Sequence, residues 1–408
     1  MKITLITLLL STLFYFYSPK KDWNTFESDK ENPNDSLYVI SSFPIKMGNV
    51  SDEYINEKRK EIDSFYNKNI NSPYYSGGFI VVKNGRVIYE DYKGFANLKT
   101  GKKIDATTPI HLASVSKVLT ATAILRLVQQ DNITLDQKVT DWLTKFPYKS
   151  TTIRTLLNHR SGLQHYANFP RLMKKNWNRR KVLTNQDVYN LMVQNKFRLK
   201  TPNDTHFDYC NTNYVILALI IEKATGLNYR HAMQELIFKP LEMKNTFVFN
   251  YDTDRETASK SYRGTTIFPW DQFDNLYGDK NIYSTPRDLV KFDMGTYSPE
   301  FIKPELIEEA YFGYSSIHDV AKPIKDYGLG MRMRFLPPNN EKMIYHNGWW
   351  HGNNTSFVPV KKDTITVVCL GNKYSNRPYA TLSMVSSLFY EKKTEIEKPL
   401  PPETECEE

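Results

Sequence analysis

The chain has 408 residues, 40% hydrophobic and 13% aromatic, enough for two or three structural units with a sizeable core; this excludes a peptide, a small disulfide scaffold and a globally disordered chain. The net charge of +9 is uneven: residues 1–18 carry +1, residues 391–408 carry −4, and the body between them +12. Such a body favours acidic surroundings by long-range attraction, yet no basic block with interleaved aromatics marks a nucleic-acid interface.

After Lys2, the run Ile3 to Tyr17 is almost wholly apolar and meets Pro19, Lys20 and Lys21. It is short for a membrane span and has the length of a signal-peptide core. Residues 1–21 therefore read as a signal peptide or, because Tyr15-Phe16-Tyr17-Ser18 offers no A-x-A cleavage pattern, an uncleaved anchor that would hold the chain at a membrane. Either implies export to the periplasm, the cell envelope or the outside. Residues 22–70 form a polar extension with one helix-like stretch, Ser51 to Tyr66, before a domain expected over 71–390.

Phe79 to Lys83 and Arg86 to Tyr89 read as strands joined by Asn84-Gly85, a strong hairpin signal. A long apolar helix follows Ser114, and a second runs from about Asn213 to Ala224 and stops at Gly226. Thr355 to Val360 and Thr364 to Leu370 read as adjacent strands, Pro378 to Tyr390 as a helix, and residues 391–408 as an acidic, Pro- and Glu-rich solvated tail. The class is α+β, with an antiparallel sheet built from the two ends of the catalytic region, flanked by helices and carrying an inserted helical subdomain. Cys210, Cys369 and Cys406 are an odd number without C-x-x-C spacing, which indicates neither a disulfide framework nor a thiolate zinc site.

Three constellations carry chemistry. In Ser114-Val115-Ser116-Lys117 the first and last residues share a helix face, so the lysine amine can lie beside the serine hydroxyl and take its proton if burial lowers its pKa. A serine at a helix start can equally be an N-cap, and Ser18-Pro19-Lys20-Lys21 matches the same pattern in the flank. What sets Ser114 apart is the helix that follows, apolar nearly all round. Tyr209 and Asn211 lie two apart before the second buried helix and point the same way if extended, as proton acceptor and carbonyl orienter or as ordinary turn and cap residues. Cys210 between them reads as a small buried apolar residue. In His346-Asn347-Gly348-Trp349-Trp350-His351-Gly352, a strand glycine admits a close approach, and the next backbone N–H can face a substrate oxygen. His346 and His351 lack the spacing of a metal site.

In this chain order, S-x-x-K, Y-x-N and H-x-G, the sequence resembles the class C β-lactamases and the related serine D,D-peptidases and esterases. The resemblance runs from about Gly77 to Leu388. It includes Thr152 to Leu163, similar to a family stretch ending in H-T-S-G-L with Arg160 in place of Thr, as well as Ile282 to Leu289 and Tyr327 to Gly330. It implies a β-lactamase/transpeptidase-like fold, no cofactor, and a serine hydrolase working through an acyl-enzyme on Ser114. Lys117 and Tyr209 would handle the proton, Asn211 would orient the substrate, His346 would stand where the β-lactamases hold a Lys, and Gly348 would open the strand. The oxyanion hole would be the backbone N–H groups of Ser114 and Trp349. The implied substrate is a small ester, an amide or a peptidoglycan-type peptide.

The departure from Lys-Thr-Gly to His346-Asn347-Gly348 replaces a fixed ammonium by an imidazole near its titration point. A dedicated β-lactamase therefore ranks below an envelope D,D-peptidase, carboxypeptidase-like enzyme or carboxylesterase, and a charged His346 would favour carboxylate-bearing substrates at lower pH. A non-catalytic penicillin-binding-like protein is the other class, opposed by the intact Ser114, Lys117 and Tyr209. An α/β-hydrolase would need G-x-S-x-G and a zinc peptidase H-E-x-x-H, and neither is present.

Overall fold

The computed structural model describes residues 37–173, 178, 180–315 and 325–390. The expected leader with its Ser18-to-Lys21 match, Cys406 and the acidic tail lie outside the described residues.

A seven-stranded antiparallel sheet joins the two ends of the domain. Strands β1 (Gly77–Lys83) and β2 (Arg86–Lys93) come early in the chain. The other five come late: β3 (Lys325–Tyr327), β4 (Arg332–Leu336), β5 (Glu341–Trp350), β6 (Asn353–Val360) and β7 (Ile365–Gly371). Their order is β3-β4-β5-β6-β7-β1-β2, so β1 pairs with β7, with Gly77 opposite Gly371 and Lys83 opposite Ile365. The β1–β2 turn has φ of 51° at Asn84 and 78° at Gly85. Both are left-handed, the conformation an Asn-Gly hairpin turn requires.

Both faces of the sheet are covered. On one face, Phe79, Val81, Val367 and Cys369 pack with helix α1 (Asp52–Asn69) and helix α5 (Ala380–Phe389). α1 starts where the Ser51 hydroxyl accepts the Tyr54 N–H, and it sets Ile55, Ile62 and Tyr66 on the sheet. The helix expected within the polar extension is thus part of this layer. Side chains alternate along a strand, so Ile80, Val82, Val368 and Leu370 face the other way, into the larger core shared with helix α2 (Ser116–Gln129) and helix α4 (Pro286–Gly295). Helix α3 (Asn211–Thr225) ends at Gly226 with φ of 70°, and its residues Thr212 to Ile221 are all buried. An unbroken apolar run with no polar face can only sit inside, and α3 does so in the helical insert.

The motif His346 to Trp350 lies within β5 rather than ahead of the C-terminal strands. Its ladder to β6 is continuous from His346 to Trp350, so Gly348 stands inside a strand.

The docking of α1 is testable. Ile62 is fully buried against the sheet, so Ile62→Ala should cost about 2 to 5 kcal/mol of stability, read as a lower urea midpoint with an unchanged m-value. A change near zero would mean that α1 does not belong to the cooperative unit.

Candidate active site

Ser114 sits in a single 3₁₀ turn, Ala113–Val115, that leads directly into α2. It does not cap the helix: neither Leu112 nor Val115, at the N-cap positions of the turn and of α2, makes a side-chain cap bond. Ala113 before it has φ of 50°, a conformation that costs energy for any residue with a Cβ. One turn on, Lys117 is 0% exposed, and its Nζ donates to Ser114 Oγ at 3.0 Å and to the backbone carbonyl of Asp279 at 2.8 Å. The i, i+3 spacing therefore puts amine and hydroxyl in contact.

Tyr209 and Asn211 reach the same place from the start of α3. Cys210 is extended, with φ of −140°, and Asn211 is the first helical residue, two positions earlier than the apolar pattern indicates. The Tyr209 ring centre is 5.0 Å from Lys117 Nζ, 4.8 Å from the Arg332 guanidinium and 4.3 Å from the His159 ring. His159 fixes this segment: its Nδ1 accepts the Cys210 N–H at 3.1 Å. Cys210 turns away toward the Leu163 carbonyl, and burial pushes its thiol up to about 11, which removes the thiolate a nucleophile needs. Asn211 Oδ1 is buried without a hydrogen-bond partner, a desolvated acceptor whose cost a bound donor would relieve.

β5 forms the opposite wall. A Cβ at Gly348 would lie 2.4 Å from Thr355 Oγ1, 2.6 Å from the Leu112 carbonyl oxygen and 2.9 Å from the Ser114 nitrogen. The strand thus passes against the Ser114 turn with no room for a side chain. Thr355, opposite Gly348 in the ladder, ties the two by donating to the Leu112 carbonyl at 2.7 Å. Trp349 is 40% exposed. Trp350 turns inward, donating from Nε1 to Asp274 at 2.7 Å under the Lys280 ammonium.

His346 is fully buried. Its Nδ1 lies 2.7 Å from the Asn347 carbonyl, which can only accept, so Nδ1 carries the proton and Nε2 accepts from the Tyr327 hydroxyl at 3.0 Å. Desolvation, and then the charges of Arg332 and Lys117, hold the imidazole well below its ordinary value of 6.5. The residue that the sequence alone offers as a conditional cation is therefore a neutral hydrogen-bonding group. His351 engages Asp274 instead, so the two histidines do not converge on a common ligand.

Arg332, Tyr327, Asp279 and His111 are parts of this site that the motifs did not single out. Tyr327 belongs to a family stretch that was noted, and Asp279 lies three residues before another. Arg332 is brought in by its place on β4 opposite Tyr345, a pairing with no local signature. A buried Lys280–Asp279 pair also joins the Tyr166 hydroxyl close by.

Comparison with known proteins agrees with this architecture. The family model described as Beta-lactamase matches residues 74–385. The chain is 28% identical over 338 residues to penicillin-binding protein 4* of Bacillus subtilis, covering 79% of this chain and 73% of that one. It is 28% identical over 292 residues to the D-aminopeptidase of Brucella anthropi, covering 68% of this chain and spanning 52% of that protein's length. The crystal structure of a penicillin-binding protein from Bacillus halodurans superposes with a TM-score of 0.68 at 20% identity, over 80% of this chain and 99% of that one. The fold and site define a β-lactamase/transpeptidase-like serine hydrolase. The chain belongs to the Beta-lactamase family.

The close passage at Gly348 yields a direct test. Gly348→Ala should force β5 off the Ser114 turn, because the methyl meets backbone atoms that cannot swing aside. Turnover of an activated ester is expected to fall at least a hundredfold, in line with the loss of one oxyanion donor, with the far-UV spectrum retained. Wild-type turnover in this variant would show that the strand does not form a wall of the site.

Proposed function

We propose that the chain is an exported serine hydrolase of the cell envelope that works through an acyl-enzyme on Ser114, acting as a D,D-peptidase or carboxypeptidase-like enzyme or as a carboxylesterase. The observation that carries this reading is the contact between the buried Lys117 amine and Ser114 Oγ, 3.0 Å apart, at a turn closed off by β5. Ser114 Oγ attacks the substrate carbonyl while Lys117 and Tyr209 take up its proton, and the backbone N–H groups of Ser114 and Trp349 hold the tetrahedral oxyanion. The proton passes to the leaving amine or alcohol, and water then releases the acyl group by the same steps in reverse roles. Asn211 orients the acyl side. The names of the relatives, a penicillin-binding protein and a D-aminopeptidase, support amide and peptide bonds as substrates. The apolar run Ile3 to Tyr17 supports export.

A β-lactamase reading is weaker, because the fixed ammonium expected at position 346 is a neutral imidazole here. The fixed charge near the base is Arg332 instead, and its guanidinium suits a substrate carboxylate.

Covalent labelling tests the nucleophile. A fluorophosphonate should add once, on Ser114, and Ser114→Ala should abolish the adduct in intact-mass spectra; an adduct on Ser116 or Ser161 would overturn the assignment. Lys117→Ala, Tyr209→Phe and the double variant should each lower kcat by about 10²- to 10⁴-fold without adding, because losing either member already stops proton transfer.

The charge at position 346 is tested separately. Because the His346 imidazole is uncharged at and above its ordinary value of 6.5, the ratio of kcat/KM for a carboxylate-ended peptide over a neutral ester should stay flat as pH rises from there. Titration of Lys117 and Tyr209 cancels in that ratio. Arg332→Gln should lower it about tenfold. A ratio that declines through the imidazole range and ignores Arg332→Gln would mean that His346 supplies the charge.

A further inference from the structure

The two backbone donors of the proposed oxyanion hole come from chain segments far apart in sequence, and a chain of buried polar contacts runs between them. On the nucleophile side, the Ala113 N–H donates to His111 Nδ1 at 2.9 Å. Accepting there leaves the proton on Nε2, which donates to Asn281 Oδ1 at 2.8 Å. Asn281 Nδ2 donates to the Asp274 carbonyl at 2.8 Å. On the β5 side, the Asp274 carboxylate accepts the Trp350 indole N–H at 2.7 Å and lies 2.9 Å from His351 Nε2. His111, Asn281 and Asp274 are each no more than 2% exposed. Ala113, Asn281 and His351 all have positive φ, at 50°, 70° and 52°, so the chain is bent unfavourably at three of its members and needs the contacts to stay there.

We propose that His111 is a positioning residue for hydrolysis: by accepting the Ala113 N–H it holds the strained turn that aims the Ser114 N–H, and through Asn281 and Asp274 it couples that turn to Trp350 and His351, beside the second donor at Trp349. The proposal rests on the acyl-enzyme reading above. Ala113 could otherwise relax toward φ below zero, turning the peptide that carries the Ser114 N–H. Oxyanion donors must be held to about half an ångström to be effective. Burial pushes His111 down to about 4, so its Nδ1 lone pair is available at neutral pH. The ring also packs edge-on against Tyr283 at 5.0 Å, which fixes its plane.

The two nitrogens of the ring can be separated by substitution. Asn at position 111 places its amide oxygen near the site of Nδ1 and can still accept the Ala113 N–H, whereas Gln places its polar atoms near Nε2 and leaves that N–H unmet. Phosphonylation of Ser114 by a fluorophosphonate, followed by intact mass, gives a rate constant for the acylation step in each variant. Steady-state ester hydrolysis gives kcat and KM. Expected for His111→Gln is a ten- to hundredfold loss in both kcat and phosphonylation rate with KM within about twofold of wild type. His111→Asn should stay within about threefold of wild type in all three. The double variant His111→Gln with Asp274→Asn should lose little more than the worse single change. Equal phosphonylation of wild type and His111→Gln would overturn the positioning role while leaving the acyl-enzyme intact. Equal losses in the Asn and Gln variants, in step with their melting temperatures, would also overturn it, since His111 would then be a packing residue only. A wild type that never labels Ser114 would overturn the acyl-enzyme reading, and this inference with it.

Discussion

An amine with no exposed surface must find its hydrogen-bond acceptors inside the protein, and for Lys117 those acceptors include Ser114 Oγ and the Asp279 carbonyl. This requirement organises the site. The first acceptor ties the lysine to the turn that opens α2, and the second ties it to the segment just before the short strand Ile282–Ser284. That strand pairs with Ile110–His111 and so returns to the same turn. Tyr209, from the helical insert, covers the ammonium with its ring. Ser114 with Lys117, the Asp279 carbonyl and Tyr209 thus come from three places in the chain, and one buried amine holds them to one another. Leaving that buried amine without acceptors would cost more than most single packing defects.

The parts that local pattern controls were legible in the sequence. The β1–β2 hairpin follows from Asn84-Gly85, the burial of α3 from its apolar run, and the Ser114–Lys117 contact from helical spacing. Where pairing or packing decides, the sequence is silent. β5 carries His346, Asn347 and Gly348, where the glycine alone hints at a strand that another segment approaches closely, and only the ladders to β4 and β6 give its length and partners. α1 reads as a lead-in because its flanks are polar, yet its buried stripe of Ile55, Ile62 and Tyr66 is what the sheet face lacks. Arg332 and His111 have no motif of their own. Their meaning depends on which residue stands opposite, and that is a property of the fold.

The electrostatics of the cleft follow from the same logic. A histidine at position 346 looks like a switch when judged by its free-solution behaviour. Enclosed beside Arg332 and Lys117, it is instead a proton-locked bridge between Tyr327 and the backbone of Asn347. Beside this neutral imidazole, the neighbouring strand β4 sets the Arg332 guanidinium against the Tyr209 ring.

The pairing of Leu112 with Thr355 joins residues 243 positions apart. Contacts of such sequence separation form late, because a long loop must be closed before they are rewarded. During synthesis from the N-terminus, the turn bearing Ser114 and Lys117 exists long before β5 and β6 do. A partly made chain therefore has Ser114 and Lys117 without the second wall of the cleft. The cleft around Ser114 is closed together with the last strands of the sheet, so the site and the completed fold are gained in the same event.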